Sequence, residues 1–375
     1  MMRFVFWQPS LSMHQSAFLS ALAAKKGVDV LIVAERKFSK GREQQGWVAP
    51  NFGKASFLVN PSQSECDDIL KEKPAQSIHI FSNLGSNRFL TKILMSAIFK
   101  SLRCAVLAET PDNRGIATIA RYFRDCARAL YFDQHLEFFL AIGTRAVQWY
   151  EAAGFASEKT FPFGYFINAP NDNKITVFDT PSKPKNTPIE IVFLGSLIPL
   201  KGVDLLLKAL ASQKHRAWRL NIIGDGSSRS KLYILADSLG LLDRIQWHGA
   251  QINTRAMEIL QNSDLLVLPS REDGWGAVVN EALIYGVPVI CSDRCGAADL
   301  VRNSNRGSVF SANNVVDLAR ALELWLSQGR LTYNQRRDIQ SWSQCIMGES
   351  AANYFMEIVS SMTNNTQHPH APWLA

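Results

Sequence analysis

Residues 263–293 read SDLLVLPSREDGWGAVVNEALIYGVPVICSD. Asp264–Leu268 is a short apolar run closed by a proline, Ala277–Tyr285 spaces its apolar residues as a helix does, and Val287–Cys291 is apolar again. Strand, helix and strand in so short a span make a crossover unit with parallel strands. Between the first strand and the helix lies a loop containing Gly274 and Gly276, and the N–H groups at the helix start point at whatever that loop holds. Two acids, Asp273 and Glu281, bracket the turn.

The same alternation extends upstream. Ile189–Leu194, Trp218–Ile223 and Ile245–His248 read as strands; Gly202–Ser212, Ser228–Ser238 and Thr254–Asn262 read as helices. In the first half, apolar runs at Arg3–Trp7, Val28–Val33, Ile78–Phe81, Ala105–Ala108 and Phe138–Ile142 alternate with helical patterns at His14–Lys25, Arg88–Arg103 and Thr144–Ala153. Between them APNDNKITVFDTPSKPKNTP, residues 169–188, carries four of the 15 prolines and little periodicity. The expected architecture is α/β, with two doubly wound parallel-sheet domains, 1–170 and 189–346, facing one another across a linker at 171–188. Residues 363–375 read as a disordered tail.

Composition fits that reading. A chain of 375 residues that is 47% apolar has enough hydrophobic mass for a core in each domain, which excludes disorder over most of its length. The longest apolar stretches, such as Ile93–Phe99, fall far short of the roughly 18 residues that cross a bilayer. No apolar segment of signal-peptide type follows MMRFVFWQPS, so the chain reads as cytoplasmic, or as resting on a membrane surface. The six cysteines are scattered without metal-site spacing and read as reduced thiols.

The net charge is +7, and all of the excess lies in the first half: 23 basic against 16 acidic residues in 1–185, and 17 against 17 beyond. Arg88–Arg128 holds eight basic residues and three acids among apolar ones. That pattern suits an anionic membrane surface, or equally a core-facing helix with a solvated basic rim. No nucleic-acid-binding motif accompanies the charge.

The chemistry concentrates at strand ends in the second half. Lys201 follows the Ile189–Leu194 strand beside a helix start, a position suited to a phosphate, although taken alone it reads rather as a solvated first-turn lysine. Gly224-Asp225-Gly226 forms a tight turn between the next strand and helix.

FLGSLIPLKGVDLLLKAL (193–210), IIGDGSSRSKL (222–232) and the opening stretch resemble, in order and spacing, the signature segments of retaining GT-B-fold glycosyltransferases of family 4. The likeness covers most of 189–305. It implies that Glu281 accepts hydrogen bonds from the ribose hydroxyls of a nucleotide-sugar donor, and that Asp273 holds the sugar's hydroxyls. It places the amides of Gly274, Trp275 and Gly276 at the diphosphate with Lys201 as counter-charge, and Gly195, Ser196, Gly224 and Gly226 at the donor site. It also implies a helix over residues 347–362 returning to the first domain.

Two positions depart from the pattern. Ser196 stands where the family commonly has an arginine, leaving Arg229 or Arg271 as replacement cation. Asp273 is a methylene shorter than the usual glutamate, and the adjacent Glu272 is an alternative. No Asp-x-Asp occurs in the chain, so neither a metal nor any other cofactor is expected.

On the acceptor side, the Gln8–Gln15 loop, His14, Glu109, Gly143-Thr144 and Tyr165 are candidates. His14 reads either as an aid to a hydroxyl's proton or as a structural helix-start residue. The resemblance thus implies a retaining transferase moving sugar from a nucleotide diphosphate to a glycan or lipid-linked glycan, of the kind that builds bacterial-type surface polysaccharide or glycolipid. An epimerase, a phosphorylase or a non-catalytic nucleotide-sugar- or glycolipid-binding protein are the alternatives.

Overall fold

A computed structural model describes residues 1–38, 50–85, 87–112, 115–167 and 187–374. Residues 171–186 of the expected linker, and Arg114 of the basic run, lie outside the described residues. The chain divides into two compact units, Met1–Asn168 with Ile346–Ala375, and Ala169–Cys345.

The first unit has strands β1 (Met2–Ser10), β2 (Val28–Arg36), β3 (Ser56–Val59), β4 (Ser77–Ser82), β5 (Arg103–Glu109), β6 (Leu136–Ile142) and β7 (Thr160–Phe163). They form one sheet in the order β3-β2-β1-β4-β5-β6-β7, with every pair parallel. Helices α1 (Met13–Ala24), α2 (Gln63–Lys71), α3 (Arg88–Phe99), α4 (Ala117–Phe132) and α5 (Thr144–Ala152) connect them. The central strands are near-continuous apolar runs because both faces are covered: Phe4, Val5, Phe6 and Trp7 of β1 are 0–2% exposed.

The second unit repeats the plan. Strands β8 (Ile189–Leu194), β9 (Trp218–Ile223), β10 (Ile245–Gly249), β11 (Leu265–Leu268), β12 (Val289–Ser292) and β13 (Gly307–Phe310) form a sheet ordered β10-β9-β8-β11-β12-β13. Helices α6 (Val203–Ala211), α7 (Arg229–Ser238), α8 (Asn253–Gln261), α9 (Val278–Ile284), α10 (Val315–Gln328) and α11 (Tyr333–Trp342) accompany it.

A last helix, α12 (Gly348–Asn364), belongs to the first unit and packs along α1. Phe355 meets Phe4, Phe18 and Phe138 at ring-centroid distances of 5.0, 5.3 and 5.9 Å, an aromatic knot joining α12 to the sheet. The described tail residues, 365–374, pack on the first unit and Thr363 and Asn364 close α12, contrary to the expected disorder of 363–375. Trp373 is 3% exposed and packs on Phe166 and Tyr354, and His368 stacks on Phe161. A large aromatic surface left open on the unit outweighs the tail's polar composition.

The helix expected at Arg88–Arg103 ends at Phe99, where Ser101 turns the chain at φ 54° and Leu102 N–H caps Ala97 C=O at 3.0 Å. It buries Leu90, Ile93, Leu94 and Ala97, so the core-facing reading holds for α3.

Gly224 occupies the tightest spot in the second unit. Its φ is 136°, and a Cβ there would lie 1.9 Å from the Gly195 carbonyl oxygen, which is backbone and has no room to yield. Gly224→Ala is expected to destabilise the second unit by at least about 3 kcal/mol. Chemical denaturation measures this, and an unchanged midpoint would mean that the β8 and β9 ends separate freely.

Candidate active site

In the second unit the chain winds outward from β8 through β9 to β10, and from β11 through β12 to β13 on the other side. The switch point of the sheet therefore lies between β8 and β11, where the connections leaving neighbouring strands diverge and open a crevice. Lys201 follows β8, at the end of a single 3-10 turn (Pro199–Lys201); Asp273 follows β11. The structure brings the two together: Lys201 Nζ donates to Asp273 Oδ2 at 2.5 Å, and Ser270 Oγ approaches the same oxygen at 3.5 Å.

The loop around Asp273 is fixed by backbone. Asp273 N–H donates to Arg294 C=O at 3.0 Å, Gly296 N–H to Asp273 C=O at 3.1 Å, and Ala297 N–H to Trp275 C=O at 2.8 Å. Gly276 has φ 90°, and a Cβ on it would sit 2.6 Å from Cys295 Sγ. The Trp275 indole is buried and donates from Nε1 to Asn280 Oδ1 at 2.8 Å, so this side chain builds the loop and leaves only its backbone for the expected amide role.

Glu281 lies in the first turn of α9, which begins at Val278. Burial pushes its carboxyl up to about 7. Burial, and then the Glu281 charge, also raise the Tyr285 hydroxyl. Glu272 is buried beside Asp273 in sequence, at 9% exposure.

The cation that would replace an arginine at Ser196 is constrained. Arg271 forms a two-pronged pair with Asp204, NH1–Oδ1 and NH2–Oδ2 both at 2.8 Å, and NH1 also reaches the Pro199 C=O at 2.7 Å. Burial acts to raise the Asp204 carboxyl, yet the guanidinium leaves it lowered. Arg271 thus ties the β11 loop to α6, a role for which the sequence carries no signal. Arg229 is about half exposed and holds Asp225, in the turn before α7, at 2.9 Å, a pair a stronger anion can displace. Ser196 is exposed. Gly195 and Gly224 close the floor, with Gly195 N–H donating to Ile223 C=O at 3.0 Å, and Gly226 N–H accepted by Asp225 Oδ1 at 2.7 Å.

In the first unit the switch point lies between β1 and β4, and a pocket of 240 Å³ opens there. It gathers residues of the Gln8–Gln15 stretch, His14, Glu109 and Tyr165, with Ser82 and Asn83 from the β4 end; the loop expected over Gln8–Gln15 is only Leu11 and Ser12, because β1 runs on to Ser10 and α1 starts at Met13. The His14 ring stacks on Tyr165 at 5.5 Å, and the Tyr165 hydroxyl donates to Glu109 Oε1. Gln8 Nε2 donates to Gln15 Oε1 at 2.5 Å beneath them. Gly143 and Thr144 form the next strand-helix turn and are not among the lining residues. Asn83, with φ 71°, was not singled out in the sequence; an Asn directly after a strand is the readable signal for such a turn. Among the described residues, no group of three or more His, Cys, Asp or Glu is placed to hold a metal ion.

Comparison with known proteins bears on both units. Residues 176–342 match the family model of the glycosyl transferases group 1. A D-inositol 3-phosphate glycosyltransferase of Rhodococcus jostii is 29% identical over 192 residues, covering 48% of this chain and 42% of that protein. An uncharacterized glycosyltransferase of Haemophilus influenzae is 28% identical over 186 residues, covering 48% of this chain and 51% of that one. The chain thus spans about half the length, or less, of the curated relatives it matches.

Among solved structures, Anabaena Alr3699/HepE in complex with UDP and glucose superposes with a TM-score of 0.67 at 15% identity, covering 96% of this chain and 100% of that one. The lipopolysaccharide outer core galactosyltransferase WaaB gives 0.70 at 18% identity, covering 96% and 99%. The two parallel-sheet, Rossmann-like units are those of the GT-B fold class. The sequence segment that matches the glycosyl transferases group 1 holds Lys201, Asp273 and Glu281.

Proposed function

We propose that this protein is a glycosyltransferase that moves a sugar from a nucleotide diphosphate donor to a glycan or lipid-linked glycan, without a metal and with retention at the anomeric carbon. The observation that carries this reading is the meeting of Lys201 and Asp273 at the β8–β11 switch point, inside the segment that matches the glycosyl transferases group 1.

Each group has a physical task in this scheme. As the glycosidic bond breaks, negative charge grows on the leaving diphosphate, and Lys201 with the amides of Gly274, Trp275 and Gly276 stabilises it. Glu281 accepts from the ribose hydroxyls; Asp273, set by its pair with Lys201, accepts from the sugar. In the first unit, His14, Tyr165 and Glu109 are the groups proposed to hold the acceptor hydroxyl. Because a relative of this fold was solved with UDP and glucose, uridine diphosphate donors are tested first. A lipid-linked acceptor would bring the protein to a membrane surface, on the cytoplasmic side in this reading.

A thermal-shift series over nucleotides and nucleotide sugars tests the donor. A ligand at 100 times its dissociation constant stabilises by about 2.7 kcal/mol, several degrees in the melting temperature. No shift with any nucleoside diphosphate would sink the reading. Product stereochemistry by NMR tests retention.

Asp273 and Glu272 are separated by single alanine variants. Asp273→Ala is expected to lower sugar transfer by about 100-fold or more while nucleoside diphosphate binding is kept, and Glu272→Ala to act mainly through stability. Silent Asp273→Ala beside inactive, folded Glu272→Ala would reverse the assignment.

A further inference from the structure

Helix α4 is built inside out. Its polar side faces the protein: Asp125, 2% exposed, accepts from Trp149 Nε1 at 3.1 Å, from Arg124 Nε at 3.0 Å and from Arg128 NH1 at 2.9 Å. Arg128 NH2 continues inward to the Gly85 C=O at 2.7 Å, and the Tyr122 hydroxyl reaches the Ala152 C=O at 2.6 Å. The apolar side faces outward. Ile116, Ile119, Phe123 and Leu130 are 90%, 61%, 66% and 86% exposed, with Ala120, Ala127 and Tyr131 exposed between them.

Spacings of three and four residues put these side chains on one stripe of the helix, from the residue before its first turn to its last turn. A scattered exposed leucine is ordinary on a protein surface; a continuous apolar stripe on the outer face of an amphipathic helix is not.

The neighbouring surface extends the stripe and gives it a sign. β4, β5 and β6 are successive parallel neighbours, so α3 and α4 cover the same sheet face, and Ile93 and Leu94 of α3 share a core cluster with Ala129 and Phe132 of α4. On its outer side α3 exposes Arg88, Lys92, Met95, Phe99 (90%) and Lys100. Arg121 and Arg124 flank the stripe on α4. Neither helix carries an acid except the inward-turned Asp125. The outer face of the pair therefore combines large apolar side chains with the cations Arg88, Lys92, Lys100 and Arg121, while Arg124 is paired with Asp125.

We infer that α4 lies in the interface of an anionic membrane, with Ile119, Phe123 and Leu130 among the acyl chains and the α3 and α4 cations at the headgroups. Charge decides the occupant: a second copy of the same surface would bring like charges together, whereas anionic lipid neutralises them. The inference rests on the lipid-surface part of the proposed function only. It narrows the contact expected of residues 88–128 to its α4 part, because α3 buries Leu90, Ile93, Leu94 and Ala97 in the core, whereas α4 buries only Ala129 and Phe132 of its apolar residues and leaves the stripe outside.

The test is sedimentation of the full chain with phosphatidylcholine vesicles, alone or with about one third phosphatidylglycerol, at about 0.05 M and about 0.5 M salt. The unmodified protein is expected to pellet with the anionic vesicles, less at high salt. The combined variant Ile119→Gln, Phe123→Gln, Leu130→Gln keeps helix-forming residues at exposed positions, so its melting temperature and nucleotide binding are expected to stay unchanged while its partitioning falls about tenfold or more at both salts. Lys92→Gln with Lys100→Gln should remove mainly the salt-dependent part.

Three results would overturn the inference. If the triple variant pellets as the unmodified protein does, lipid binds elsewhere. If the unmodified protein stays in the supernatant in every mixture, neither α4 nor any other face binds this lipid. If the protein self-associates without lipid and the triple variant does not, the stripe is covered by a second copy. Nucleotide binding, measured in parallel, reports on the donor reading separately.

Discussion

Lys201→Ala is expected to lower turnover by about 100-fold or more with any accepted donor. Removal of one preorganised group at a developing negative charge costs roughly 3–4 kcal/mol of transition-state stabilisation, and Lys201 is a cation that the structure holds at the switch point of the second unit. Its ammonium is paired with Asp273 at 2.5 Å, which fixes the amine beside the β11 loop.

The same pair sets the control. Without Lys201, Asp273 at 12% side-chain exposure keeps a carboxylate in a confined site, and a loss of about 1–3 kcal/mol in stability accompanies the loss of activity. Measuring turnover well below the melting temperature separates the two effects. A rate within a few-fold of normal would show that another cation clamps the diphosphate, and Arg229, whose partner Asp225 is half exposed, is then the next to replace.

The second large effect concerns Glu281, through both binding and pH. Glu281→Ala is expected to weaken nucleoside diphosphate binding about tenfold or more, and Glu281→Gln less, since an amide still accepts a hydrogen bond but brings no charge. The pH dependence follows from the raised carboxyl. In the unfolded chain it titrates near 4.5, in the native protein at about 7. Between those values the native state binds more protons than the unfolded one, so this group's contribution to stability is full below pH 4.5 and is lost as pH rises through 7, up to about 3 kcal/mol.

Donor binding should run the other way. Ribose hydroxyls donate to the ionised carboxylate, so affinity rises with pH through 7. Chemical denaturation and nucleotide titration at pH 5, 6, 7 and 8 check both slopes. Glu281→Gln should flatten both in this window; slopes that persist in that variant would assign them to another group.

The order of strands and helices in both units was readable because a parallel sheet covered on both faces writes its strands as apolar runs. Ile189–Leu194 and Trp218–Ile223 match their strands residue for residue. Several elements that the alternation passed over were shorter or more polar, but α10, 14 residues long with Leu318, Leu322, Trp325 and Leu326 buried, was neither. α2 and α11 carry capping boxes, Ser62 with Glu65 and Thr332 with Gln335, which are visible signals in the sequence. α4 was hidden because its apolar stripe does not face the core, so periodicity alone gives no direction.

By itself, the sequence determined the fold class and the strand-end loops where chemistry collects, since local periodicity and glycine placement are properties of short segments. It also placed Lys201 and Asp273 on those loops and Glu281 in the helix that follows. Only the tertiary structure decided which side chains meet. That Lys201 pairs with Asp273, 72 residues away, and Arg271 with Asp204 depends on strand order in the sheet. That Trp373 and α12 complete the first unit depends on long-range packing around Phe355 and Phe166. That Glu281 titrates near 7 depends on the water its neighbours exclude. Each is set by contacts between segments distant along the chain, and no window of the sequence contains both partners.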